Sequence, residues 1–291
     1  MKHGRITRKR RVLAVGAMSA LALGALSVAA SAGAAEASPG TISQPHTGPS
    51  VLGGPLVKSE TGKVWAGYVA EGGKSPFTYV EAEFKVAAVH CRVTPHLSQT
   101  SQWVGLDGSI SHTVEQIGVE SDCGDPKLPH SNAPHYFAWW EMYKPHDPNE
   151  SPHEIEPVNA GDTIVATVYQ IPAGSPGDAL EYVLSLQDLT KSGVPKSYLK
   201  PCPKGFVCKD ASAEVISEGY NWKDWKGPAD FGRESFSDIS LGEYGDLIGN
   251  FATTSWRNIK EVQKQKKVVN AAPTALSHGG TAFSVVWHSD K

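Results

Sequence analysis

A chain of 291 residues, 40% hydrophobic and 20% charged, is long enough to bury a substantial core. Its formal net charge of −3 understates its acidity. The first 37 residues read as removable and hold six of the 27 basic residues but one of the 30 acids, leaving 21 against 29, a balance that argues against a nucleic-acid partner.

The basic residues Lys2, Arg5, Arg8, Lys9, Arg10 and Arg11 precede an apolar, alanine-rich run from Val12 to Ala30, and A-x-A sites follow at Ala30 to Ala32 and Ala35 to Ala37. Residues 1–37 therefore read as a signal peptide, with the general and the twin-arginine export routes both open. A membrane anchor is the competing reading; small residues dilute the run, cleavage sites end it, and no later stretch is apolar for long enough to span a bilayer. The expected protein is secreted and extracellular, with no membrane partner after cleavage. Residues 38–62, rich in Pro, Gly, Ser and Thr, read as a linker or short pro-segment. Residues 63–291 read as one domain, with order beginning near Trp65.

Within that domain the hydrophobic period is mostly two. Val80, Ala82, Phe84 and Val86 alternate with Glu81, Glu83 and Lys85, and Leu180, Tyr182, Leu184 and Leu186 alternate with Glu181, Val183, Ser185 and Gln187. The stretch from Gln102 to Glu120 contains Trp-Val-Gly-Leu-Asp-Gly, suited to a strand ending in a tight turn, followed by a strand over Thr113 to Val119. Further strands are expected at His135–Tyr143, Asp162–Tyr169, Ala211–Glu218 and Thr281–His288. Trp256–Val268 is ambiguous, because its Lys, Glu and Gln content favours helix while its flanks look like strand connections. Many strands without interleaved helices mean an all-β fold, an antiparallel sandwich or a barrel.

Cys91, Cys123, Cys202 and Cys208 suit an oxidising compartment and permit three pairings, of which Cys91–Cys123 with Cys202–Cys208 is favoured. Zinc binding would want tighter paired spacings. His130, His135, His146 and His153 match no compact ligand motif, so no metal and no cofactor is expected. Ser109, Ser111 and His112 adjoin one another without the G-x-S-x-G context of a nucleophile.

Three strands carry groups suited to chemistry. Alternation puts Val114, Gln116 and Gly118 on one face, where a neutral amide with space beside it can donate to a substrate oxygen; an exposed strand glutamine is the plainer reading. Glu214 shares a face with Ser212, Ile216 and Glu218, which is either a reactive or a solvated face. In HYFAWWEMY, Phe137, Trp139, Glu141 and Tyr143 face one way and Tyr136, Ala138, Trp140 and Met142 the other, so one side packs the core while the other lines a groove.

Taken together, these strands resemble the glutamic peptidases (eqolisins), secreted endopeptidases active at acid pH. The matching pieces are Trp65-Ala-Gly-Tyr-Val, Tyr79 to Phe84 with Val86, Trp103-Val-Gly-Leu-Asp-Gly, and Gln116-Ile-Gly-Val. Ala138-Trp-Trp-Glu-Met-Tyr, Gly161-Asp, Ala213-Glu-Val-Ile-Ser-Glu, Ala229-Asp-Phe-Gly and Phe283 to Trp287 continue the series in family order over about residues 65–288. The resemblance implies a concanavalin-like or jelly-roll-like sandwich of two bent antiparallel sheets with the substrate groove on the concave face. It implies a catalytic pair of Gln116 and Glu214, and substrate-binding or supporting roles for Trp65, Trp103, Asp107, Trp140 and Glu141. Ile117 stands where the family commonly has Thr, and Val215 where it has Trp; both point away from the catalytic face and bear on specificity.

The chemistry is sound for these groups. A carboxyl at Glu214 takes a proton from an attacking water and returns it to the leaving amine, while the Gln116 amide stabilises the oxyanion. The resemblance thus implies a monomeric, metal-independent endopeptidase acting on unfolded proteins or peptides in acid. A β-sandwich glycoside hydrolase using Glu214 and Glu141, or a carbohydrate-binding module, is the alternative; neither explains a glutamine at 116. Gln116 and Glu214 are expected on neighbouring strands of one sheet, both in the groove.

Overall fold

The expected alternation is realised as strand almost throughout the computed structural model, which describes residues 57–92, 97–124, 132–145, 152–171, 175, 179–220, 227–244, 247–253, 255–265 and 267–290. The signal peptide and most of the linker expected before Trp65 lie outside the described residues. Ordered pairing starts earlier than expected, because β1 (Val57–Gly62) runs parallel to a later strand.

Sixteen strands are present among the described residues, with one short 3₁₀ turn at His278–Gly280 and no α-helix. After β1 come β2 (Trp65–Glu71), β3 (Phe77–Lys85), β4 (Ser98–Leu106), β5 (Val114–Cys123), β6 (Pro134–Tyr143), β7 (His153–Pro157) and β8 (Thr163–Ile171). The remainder are β9 (Glu181–Asp188), β10 (Lys196–Pro201), β11 (Ser212–Glu218), β12 (Arg233–Glu243), β13 (Leu247–Gly249), β14 (Arg257–Gln265), β15 (Val268–Pro273) and β16 (Phe283–Trp287). Trp256–Val268, left between helix and strand by its composition, is strand β14 for most of its length. It pairs with β1, β2 and β15, and that pairing outweighs the helical preference of its Lys, Glu and Gln residues.

The ladder runs β10-β9-β8-β3-β12-β16-β15-β14-β2-β11-β4-β5-β6-β7 and is antiparallel along that path. It folds back on itself: β5 packs on β8 and β9, and β4 on β3 and β8, none of which is its hydrogen-bonded neighbour. This makes the sandwich. Val104, Leu106, Ile117, Val119, Ala213 and Val215 supply the inward face of one layer, and Val80, Phe84, Ile164, Val168, Leu184 and Leu186 that of the other. At the two ends of the ladder, Lys196 of β10 meets Glu156 of β7 at 2.8 Å.

Both favoured cysteine pairings are present, Cys91–Cys123 and Cys202–Cys208. A second, smaller apolar cluster of Val69, Trp103, Val114, Trp139, Ile216 and Ile259 lies on the other face of β2, β11, β4, β5, β6 and β14. That face carries the groove.

Candidate active site

Pairing register places the groove residues in rows. In one row Val69 of β2 stands opposite Glu214 of β11, Glu214 opposite Gly105 of β4, Gly105 opposite Gln116 of β5, and Gln116 opposite Glu141 of β6. Directly opposed residues point to one face, so Glu214, Gln116 and Glu141 share the face that carries the groove. The expectation of neighbouring strands needs correction, since β4 runs between β5 and β11. The residue it contributes to the row is a glycine, so no side chain of that position separates the glutamine from the glutamate.

The next row explains the glycines. Trp103 stands opposite Ile216 on one side and Gly118 on the other, and it is fully buried. A Cβ on Gly118 would overlap the Gln102 carbonyl and lie 2.5 Å from Trp103 Cβ, and one on Gly105 would lie 3.0 Å from the indole edge. Both glycines therefore make room for this ring. The conflict at Gly118 is with backbone, which cannot step aside. Gly118→Ala is expected to destabilise the protein by about 2 kcal/mol or more, read as a lowered melting temperature. An unchanged melting temperature would refute this packing.

Trp103 Nε1 donates to Glu218 Oε2 at 3.0 Å, and Trp65 packs edge-on against the Trp103 ring with centroids 5.2 Å apart. Trp65, Val114, Gln116, Tyr143, Glu218 and Tyr220 line a cavity of about 410 Å³, which opens beside the glutamine. Trp65 thus lines this cavity, and Trp103 lies beneath it. Alternation puts Glu218 on this face, but nothing in its spacing marks it as the partner of Trp103.

Asp107 and Trp140 are placed elsewhere. Asp107, at the turn after β4 with φ of +66°, is fully buried, and its carboxylate accepts from the backbone N–H groups of Lys209, Asp210 and Ala211 at 2.6, 2.9 and 2.8 Å. It ties that turn to the segment entering β11 and does not line the groove. Trp140 stands opposite Ile117, on the core face. Its ring stacks on His153 at 4.1 Å and Tyr198 at 5.6 Å, with the Lys200 ammonium 4.2 Å from its centre. A residue one position from Glu141 must point the other way, so Trp140 cannot share the groove with it.

Glu214 is fully buried, and neither carboxyl oxygen has a hydrogen-bond partner among the described residues. Burial holds its pKa well above the ordinary carboxylate range. The adjacent Ser212 hydroxyl opposes that shift, and the charges of Asp107, Glu115 and Glu71 add to it. Glu218 is raised to about 7 by the same desolvation, against the donors Tyr220, Trp103 and Trp65. Gln116 is 4% exposed, and its Nε2 donates to Glu141 Oε2 at 2.7 Å. Beyond Glu214 the face continues to Glu71, which accepts from Ser109 and pairs with Arg257.

One group of carboxylates among the described residues, Asp107, Glu115 and Asp210, lies close enough to share an ion, each offering an oxygen within 4.8 Å of the others. Asp107 is already engaged by three N–H groups, and Asp210 Oδ1 accepts from the Tyr182 hydroxyl at 2.7 Å. Desolvation raises the Glu115 pKa well above the ordinary range, which favours the neutral acid.

Comparison with known proteins agrees with this architecture. The family model of the peptidase A4 family matches residues 63–285. A crystal structure of scytalido-glutamic peptidase with a peptide-based transition-state analogue superposes with a TM-score of 0.58 at 20% identity, covering 78% of this chain and 98% of that one. SCP-B, a member of the eqolisin peptidases in complex with the tripeptide Ala-Ile-His, gives the same TM-score and coverages at 18% identity. No curated protein matches the sequence at a significant level.

Proposed function

The chain belongs to the peptidase A4 family, the glutamic peptidases, and from that premise we propose that it is a secreted endopeptidase of acid media in which Glu214 and Gln116 carry out the reaction. Membership makes the chain a peptidase and sets aside the glycosidase and sugar-binding alternatives. The observation that supports the pair is the row in which Glu214, the side-chain-free Gly105 and Gln116 follow one another across three strands of the groove face.

In this reading Glu214 acts as the ionised carboxylate, taking a proton from a water as that water attacks the scissile carbonyl and so becoming the neutral acid. The same carboxyl then hands that proton to the departing amine. Burial raises the basicity of the Glu214 carboxylate, which suits capture of the proton, and the entering water supplies solvation to the ionised form before it reacts. The negative charge that forms on the carbonyl oxygen needs a donor fixed in advance, and the Gln116 amide is the group the row offers. Trp65 and the cavity beside Gln116 would receive substrate side chains. Two disulfides accord with action outside the cell.

The test is digestion of an acid-denatured protein by the purified chain. Internal cleavage is expected at acid pH, declining toward neutral, and unchanged by chelators because every proposed step is carried by side chains. A chelator-sensitive rate, or release of terminal residues only, would sink the proposal.

A further inference from the structure

We infer that Glu141 is a positioning residue for the Gln116 amide, fixing which of its two ends is left for the substrate; the inference rests on the catalytic pair proposed above. A glutamine amide has a donor end and an acceptor end of nearly the same shape, and its terminal torsion is soft, so an unheld amide presents both. At position 116 one side offers little to hold it, because the residue opposite on β4 is Gly105, and the adjacent row across β4 and β5 pairs Trp103 with Gly118. On the other side stands Glu141. Its Oε2 accepts from Gln116 Nε2 at 2.7 Å, at the short end of the N–H···O range. Both residues are buried, at 4% and 8% exposure, so water competes weakly for either.

The consequence is directional. Glu141 Oε2 stands as an acceptor, so it selects the Nε2 end, and a turned amide would set Oε1 against that oxygen, acceptor against acceptor. With one N–H committed to Glu141, the amide keeps its second N–H and its carbonyl. These are a donor and an acceptor on one rigid plane, matched to a developing oxyanion and to a water. Glu141 itself touches neither substrate nor water in this scheme; it acts through Gln116.

The experiment is a double-mutant cycle in steady-state kinetics on an acid-denatured protein substrate, using wild type, Gln116→Ala, Glu141→Ala and the double variant. Glu141→Ala is expected to lower kcat by about 10-fold to 50-fold with KM within about twofold, because the lost orientation matters where charge develops. Glu141→Gln, whose carbonyl can still accept, should lose less. In the Gln116→Ala background, Glu141→Ala should cost less than about twofold, because no amide remains to be oriented. An equal loss in both backgrounds overturns the positioning role while leaving the catalytic pair standing. Should Gln116→Ala keep its kcat, the catalytic pair fails, and the inference with it. If Glu141→Ala lacks a melting transition, the same cycle is run with Glu141→Gln and judged by the same non-additivity.

Discussion

Glu214→Gln is expected to lower kcat by about 10⁴ while keeping the melting transition at acid pH. The side chain is isosteric, but its amide takes no proton from water, so both transfers proposed for Glu214 are lost. The fold should tolerate the change because the two side chains have the same shape and the carboxyl has no hydrogen-bond partner among the described residues to lose. Gln116→Ala should cost less, roughly 10² to 10³ in kcat, the range for removing one oxyanion donor. The ordering is the diagnostic feature. A base that is gone cannot be bypassed, whereas a missing donor is partly replaced by water in the space it leaves. Retention of more than about 1% of kcat by Glu214→Gln, at full protein stability, would remove Glu214 from the mechanism.

Much of this face is legible in the sequence, because a strand has only two faces. Counting by twos put Ser212, Glu214, Ile216 and Glu218 together, and Gln116 with Gly118, and register places those two sets on the same side of one sheet. The same count separates Trp140 from Glu141, whereas the family resemblance gave both a part in lining or supporting the groove; register sets Trp140 opposite Ile117 and Glu141 opposite Gln116. What periodicity could not supply was the order of strands. β11 begins 89 positions after β5 ends at Cys123, and no local pattern says that β4 runs between them. Asp107 was misassigned for a related reason. Its motif marks a turn, but the N–H groups that its carboxylate binds come from residues 209 to 211, more than a hundred positions away.

Some strands escaped notice for want of a hydrophobic signature. β12 reads RESFSDISLGE, with serines and charges at most positions, yet it sits within the ladder between β3 and β16. Glu234 within it is buried, where Thr100 Oγ1 donates to its carboxyl at 3.3 Å. A buried glutamate looks like a solvated one in a sequence. The interior of this protein holds several, and their effect on stability is the largest that the fold predicts.

Stability is expected to be greatest in acid and to fall steeply as pH rises from about 4.5 toward 8. Asp210 and Glu218 are raised to about 7, and Glu234 to about 8, in each case chiefly by desolvation. Glu115, Glu120 and Glu214 are raised well above the ordinary range by the same cause. A carboxyl whose folded pKa exceeds its unfolded pKa binds more protons in the folded state between those two values. Its contribution is fully present below the unfolded pKa and is lost as pH rises through the folded one, at about 1.4 kcal/mol per pH unit for each group. Against a total stability of roughly 5–15 kcal/mol, a few such groups remove a substantial share of it by neutral pH. Urea midpoints measured from pH 3 to 8 should therefore decline through this window, and the loss of activity toward neutral should follow the loss of folded protein. Glu234→Gln supplies the control, because an amide can still accept from Thr100 but never ionises. Its stability should fall with pH by about one proton less than that of the wild type between pH 4.5 and 8. Midpoints that hold steady or rise across the window would show that these carboxyls are ionised inside the fold.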